Sequence, residues 1–116
     1  MQRDPRAFLW DVQEAAAQIE IFVAGMDGTA YAANPMAQAA VERKFEIIGE
    51  ALAQLAKIDR VLAQRITDLS RIVAFRNQLI HGYATVNVTT VWNVVQTSLP
   101  GLAAQARTLL AEFDSA

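Results

Sequence analysis

The sequence predicts an all-α fold: one antiparallel bundle of four long helices plus one or two short ones, filling residues 1–116 as a single domain. Three observations carry that reading. Apolar residues make up 53% of the chain, with only 5 glycines and 3 prolines, which excludes disorder and favours helix. The apolar residues recur at three- and four-residue spacing, without the alternation a half-buried strand requires. Two pairs, Asp4-Pro5 and Asn34-Pro35, stand where periodic runs begin. An Asp or Asn side chain can cap the first free N–H groups, and proline suits the first helical turn.

From Asp4-Pro5 a helix places Phe8, Val12, Ala15, Ile19, Phe22 and Val23 on one stripe, until Gly25 and Asp27-Gly28 end it. Residues 29–33 read as a turn or a single helical turn that Tyr31 pins to the core. Asn34-Pro35 opens the longest run, carrying Ala37, Val41, Lys44/Phe45, Ile48, Leu52 and Leu55 to about residue 57. That is a rod of roughly 30 Å at 1.5 Å per residue. Gly49 sits inside it at about 1 kcal/mol relative to Ala, either to admit another backbone closely or by drift. Arg43, Glu46 and Glu50 form a polar strip, a solvated face or a support for the histidine treated below.

Residues 59–65 read as a short helix and 66–68 as a turn, with Asp68 or Ser70 capping the helix that follows. In that helix Leu69, Ile72, Val73, Leu79 and Ile80 are assigned to the core, which leaves Arg76, Asn77 and His81 toward a groove or a partner. Residues 83–87 form a linker, and Thr89 or Thr90 starts the last helix. Its stripe is Val91, Val94/Val95, Leu99, Leu102, Ala106, Leu109, Leu110 and Phe113. Pro100 lacks an N–H and clashes one turn back, so a kink or break is expected near Leu99. Trp92 is assigned to packing rather than to base stacking.

Composition narrows the chemistry. With no cysteine and one histidine, disulfides, thiolate metal sites and an intrachain multi-histidine site are excluded, and no cofactor is called for. The first five residues show no apolar segment behind a basic start, and no apolar run approaches membrane-spanning length, so a cytoplasmic protein without membrane contact is expected. The formal charge of −2 provides no global attraction for nucleic acid. A local excess exists over residues 57–76, where Lys57, Arg60, Arg65, Arg71 and Arg76 face Asp59 and Asp68, five minus two, or +3. It is either a solvated basic face or, through Lys57, Arg65 and Arg71, a place where RNA phosphate is met.

Residues 76–83 read Arg-Asn-Gln-Leu-Ile-His-Gly-Tyr and hold the one histidine. Gly82, just past a helical run, is the usual stop because it adopts positive φ without strain. His81 then lies in the last turn, where free carbonyls attract a cation, and Asn77 shares its face four residues earlier. Arg76 is offset by one position. Arginine, amide and imidazole together can hold a phosphodiester, the first by its planar fork and the last by moving protons near neutral pH. Taken alone, a lone histidine at a helix end is more often a cap or a half-buried structural residue.

The spacing Arg76-x4-His81-x-Tyr83, with Asn77 after the arginine and Gly82 before the tyrosine, resembles the signature of the HEPN superfamily. More narrowly it resembles the HepT-like toxin of HEPN–MNT toxin–antitoxin pairs. Residues 41–51, with Ile48-Gly49-Glu50-Ala51, are similar to that family's Ile-Gly-Glu-Ala helix, and Val91-Trp92 leading to Leu99-Pro100 to its final helix. The similarity runs over nearly the whole chain, although the Pro and Trp residues by which many relatives enter the motif helix are absent. The resemblance implies a HEPN-like bundle and a metal-independent endoribonuclease toxin acting on RNA (tRNA or mRNA). It also implies a homodimer with the cleft between protomers, and an MNT-type nucleotidyltransferase antitoxin that adenylylates Tyr83. His81 would be base or acid toward the ribose 2′-OH and leaving oxygen, Arg76 would stabilise the phosphorane, and Asn77 would orient one of them. One imidazole cannot be both base and acid in a single in-line step, which a two-fold dimer resolves. The competing reading is a non-catalytic helical module that binds a nucleotidyltransferase or a nucleotide.

Overall fold

Both start signals work as caps: Asp4 accepts from the Arg6 N–H, and Asn34 from the Ala37 N–H. The computed structural model describes residues 3–114, apart from the Tyr83 side chain. The elements are α1 (Pro5–Phe22), α2 (Gly28–Ala32), α3 (Pro35–Ile58), α4 (Arg60–Gln64), α5 (Leu69–His81), a 3₁₀ turn (Tyr83–Thr85), α6 (Val88–Thr97) and α7 (Leu99–Asp114). No strand occurs among the described residues, and no helix there is long and apolar enough to cross a membrane.

The bundle is organised around α3, which packs on α1 along one side and on α5 along another, while α7 lies against α1 and α6. Leu9, Val12, Ala16 and Ile19 of α1 meet Val41, Phe45, Ile48, Leu52 and Leu55 of α3 in a core from which water is excluded. Each large apolar side chain buried there contributes about 1.5–3 kcal/mol. Tyr31 is fully buried as expected and stacks on Trp92 at 5.1 Å, which makes Trp92 a packing residue.

The break expected near Leu99 falls at Ser98, between α6 and α7, because Pro100 in the first turn of α7 has no N–H to continue the α6 ladder. Other local expectations give way to the packing. Asn87, not a threonine, caps α6, accepting from the N–H groups of Thr89 and Thr90. Asp68 stands before α5 with φ 65° and caps nothing through its side chain, which pairs instead with Arg71 at 3.6 Å; Ser70 lies inside the helix. The entry to α5 is held from outside. Gln105 of α7 accepts from the Thr67 N–H and donates to Thr67 Oγ1, and Arg65 makes two bonds to Glu112.

Gly82 does not take the left-handed conformation, since its φ is −111°. Its N–H donates to the Gln78 carbonyl, and an added Cβ would lie 3.0 Å from that oxygen and 3.3 Å from Thr85 Oγ1. Space, not positive φ, is the reason for glycine there. Ile80, assigned to the core, is 41% exposed. Phe75 is buried in its place, edge-on to Phe45 with ring centroids 5.3 Å apart, so the buried stripe of α5 is Ile72, Phe75 and Leu79.

Gly49 marks where α3 and α5 cross. A Cβ at this position would lie 2.2 Å from Arg76 Cβ and 2.6 Å from Arg76 Cγ. The close approach is therefore to the stem of the motif arginine. Gly49→Ala should destabilise the protein, although alanine gains about 1 kcal/mol of helix propensity, because overpacking costs about 1–3 kcal/mol and this overlap belongs at the upper end. The urea midpoint should fall, and fall equally in an Arg76→Ala background, where the Cβ of residue 76 remains. Rescue by Arg76→Ala would assign the conflict to the far end of the side chain.

Candidate active site at the crossing of two helices

The last two turns of α5 present the motif on two sides. Arg76 leaves the helix toward α3, passes over Gly49 and donates from Nη1 to Glu50 Oε2 at 2.5 Å. Its side chain is only 16% exposed. Glu50 Oε1 in turn accepts from Gln54 Nε2 at 3.0 Å, so the carboxylate that holds Arg76 is itself oriented from the next turn of α3. Among the described residues Arg76 Nε is buried without a partner. A buried donor left unpaired costs about 1–3 kcal/mol. The guanidinium is thus fixed in place with hydrogen-bonding capacity to spare.

Asn77 and His81 lie on the outer side of α5, exposed and one turn apart, with the exposed Ile80 between them. Among the described residues no hydrogen bond joins Arg76 to Asn77 or His81. The arginine therefore reaches the site from the inner flank of the helix and the histidine from its outer face. Tyr83 begins the 3₁₀ turn two residues beyond His81, and its side chain lies outside the described residues. Among the described residues, no three His, Cys, Asp or Glu side chains gather as a metal site would need.

The other basic residues do not converge on this corner. Arg71 lies at the opposite end of α5, about 15 Å along the axis from His81, and Arg65 is engaged bidentately by Glu112 at 2.7 and 2.6 Å. Arg65 hydrogen bonding holds the Glu112 carboxyl below its ordinary value. Lys57, in the last turn of α3, is near enough to Glu50 to stabilise its charge. All three basic residues assigned to RNA thus carry an acidic neighbour, since Arg71 pairs with Asp68 at 3.6 Å. The role of Glu50 as the partner of Arg76 went unread in the sequence, where it was one member of a polar strip. The signal was its position directly after Gly49.

A sequence model of the family described as "Ribonuclease HepT-like" matches residues 12–109. A Methanocaldococcus jannaschii protein provisionally named RNase MJ1380 is 32% identical over 99 residues, covering 85% of this chain and 90% of that protein. The Thermococcus cleftensis protein named "Probable ribonuclease HepT" is 31% identical over 102 residues, covering 88% and 92%. No solved structure matches the chain.

The hydrogen bond from Gln54, then that from Arg76 with its charge, hold the Glu50 carboxyl below its ordinary value of 4.5. A carboxyl depressed in the folded state contributes stability above its unfolded value and loses it as pH falls through the folded one. Thermal midpoints of the parent and Glu50→Gln should therefore differ more at about pH 7 than at about pH 3. A gap independent of pH would show that the charge of Glu50 is not what secures Arg76.

Proposed function

This chain belongs to the HepT-like ribonuclease family, and from that premise we propose that it is the toxin of a type VII-like HEPN–MNT pair, a metal-independent endoribonuclease. The observation that carries the reading is a guanidinium fixed by Glu50 and Gly49 on the same helix that ends in an exposed imidazole. A positioned cation of this kind can stabilise charge that develops only in the transition state.

Cleavage proceeds by attack of the ribose 2′-oxygen on the adjacent phosphorus. A base takes the 2′-hydroxyl proton, the P–O bond to the 5′-oxygen breaks, and an acid returns a proton to that oxygen, leaving a 2′,3′-cyclic phosphate. His81 of one protomer serves as base and His81 of a second as acid. Arg76 bears the phosphorane charge, and Asn77 orients imidazole or phosphate. A homodimer along this face would pair each motif with its own copy and cover the half-exposed Ile80 beside His81. An adenylyl group placed on Tyr83 by an MNT-type nucleotidyltransferase would bring negative charge beside Arg76 and block the groove, silencing a cytoplasmic RNA-cleaving enzyme.

The purified chain should be a dimer by light scattering at micromolar concentration and should cut total RNA. Both His81→Ala and Arg76→Ala should remain folded and lose cleavage by at least about 100-fold. Tyr83→Phe should keep cleavage while losing the adenylyl adduct, by mass spectrometry, that the parent acquires from the nucleotidyltransferase. A folded parent that is monomeric and cuts nothing would leave the non-catalytic module as the reading. Loss of cleavage in Tyr83→Phe would make that residue part of the reaction instead of its regulation.

A further inference from the structure

Away from the α3–α5 crossing, α1 and α7 enclose a concavity of about 570 Å³ whose wall carries Arg3, Arg6 and Arg107 with Trp10, Gln13 and Asp114. That volume lies within the roughly 300–1,000 Å³ of small-ligand sites. Three guanidinium groups and one carboxylate line the wall. Trp10 is 55% exposed, so a large aromatic face stands in water among these cations. Arg107 makes no ion pair or side-chain hydrogen bond among the described residues, whereas Arg3 and Arg6 pair with Asp11 and Asp4 on the surface. Exposed pairs of that kind are weak and exchange readily for a stronger anion.

Arg3 also lines a second, smaller depression of about 180 Å³, shared with Asp11, Arg43, Glu46 and Glu50. Glu50 is the residue that holds Arg76. The two depressions share Arg3 as a lining residue.

We propose that the α1–α7 concavity is an exosite for one nucleotide of single-stranded RNA, its base stacked on Trp10 and its phosphate on Arg107 and Arg6. Only the identity of the polymer rests on the ribonuclease reading; the aromatic face and the cations stand without it. A single strand is required because a base must leave its stack to reach the indole, and every base offers a π-face, so the exosite is tolerant of sequence. Its effect is to hold a strand whose scissile bond lies at Arg76 and His81. Long substrates gain in affinity, and a dinucleotide gains nothing.

Oligouridine and oligoadenosine titrated into the His81→Ala protein, which cannot cut them, should quench indole fluorescence, while the same strand in a perfect duplex should not. Trp10→Ala should abolish the quench and weaken single-strand binding roughly 5- to 100-fold. Trp92 packs on Tyr31 and serves as the internal reference. Arg107→Glu should weaken binding and lower its salt dependence by about one phosphate contact. Circular dichroism should show both variants folded, as expected for exposed positions. Single-strand affinity unchanged in Trp10→Ala and Arg107→Glu overturns the exosite, as does a Trp10→Ala protein that loses dimerisation or partner binding but not RNA. A parent that binds RNA through Trp10 yet cuts none keeps the exosite and removes the ribonuclease reading. Cleavage without any response at Trp10 does the reverse.

Discussion

The contact on which the site depends is the passage of the Arg76 stem over Gly49. Two helices can approach this closely only where one has no side chain, and α3 accepts a glycine in mid-helix, at about 1 kcal/mol, for that purpose. The next residue, Glu50, then has the guanidinium within reach, and Gln54 one turn on fixes the carboxylate. A single point on α3 thereby determines where the cation of α5 stands. Phe75 beside it locks the rotation of α5, since its ring is seated edge-on against Phe45 of the same α3.

With that crossing set, the rest of the bundle serves to hold α5 in register. Its N-terminal end has no side-chain cap, and Asp68 takes a left-handed conformation there. The compensation comes from α7, through Gln105 to Thr67 and Glu112 to Arg65. Its C-terminal end closes through Gly82, where the Gln78 carbonyl leaves no room for a Cβ. The helix that carries Arg76 and His81 is thus fastened at both ends and at its middle, and its outer face, with Asn77, Ile80 and His81, is left to solvent.

The charges follow the same economy. Surface arginines are mostly matched by carboxylates, Arg65 by Glu112, Arg71 by Asp68, Arg6 by Asp4 and Arg3 by Asp11. An excess counted along residues 57–76 therefore overstates the positive field of that face, since Glu112 is distant in the chain and adjacent in space. Conversely, the cluster of Arg3, Arg6 and Arg107 around Trp10 joins two ends of the chain and has no trace as a linear run. The counting of charges along a chain is informative only when the elements that carry them are not paired across the bundle.

By itself the sequence determined what depends on local geometry. Helical periodicity, the Asp4-Pro5 and Asn34-Pro35 starts, the break at Pro100 and the placing of His81 at a helix end all follow from neighbours within a turn or two. The three motif blocks likewise named the family that the comparisons show. Tertiary structure alone decided what depends on residues far apart in the chain. Ile80 and Phe75 exchange burial because the angle at which α5 meets α3, not the apolar character of either residue, selects the buried stripe. Gly82 answers to crowding by Gln78 and Thr85 and not to its φ, and Glu50 becomes the partner of Arg76 across 26 residues of sequence because Gly49 lets the helices touch. Periodicity reports which face of a helix is apolar; which atoms that face meets is set only when two helices close on each other.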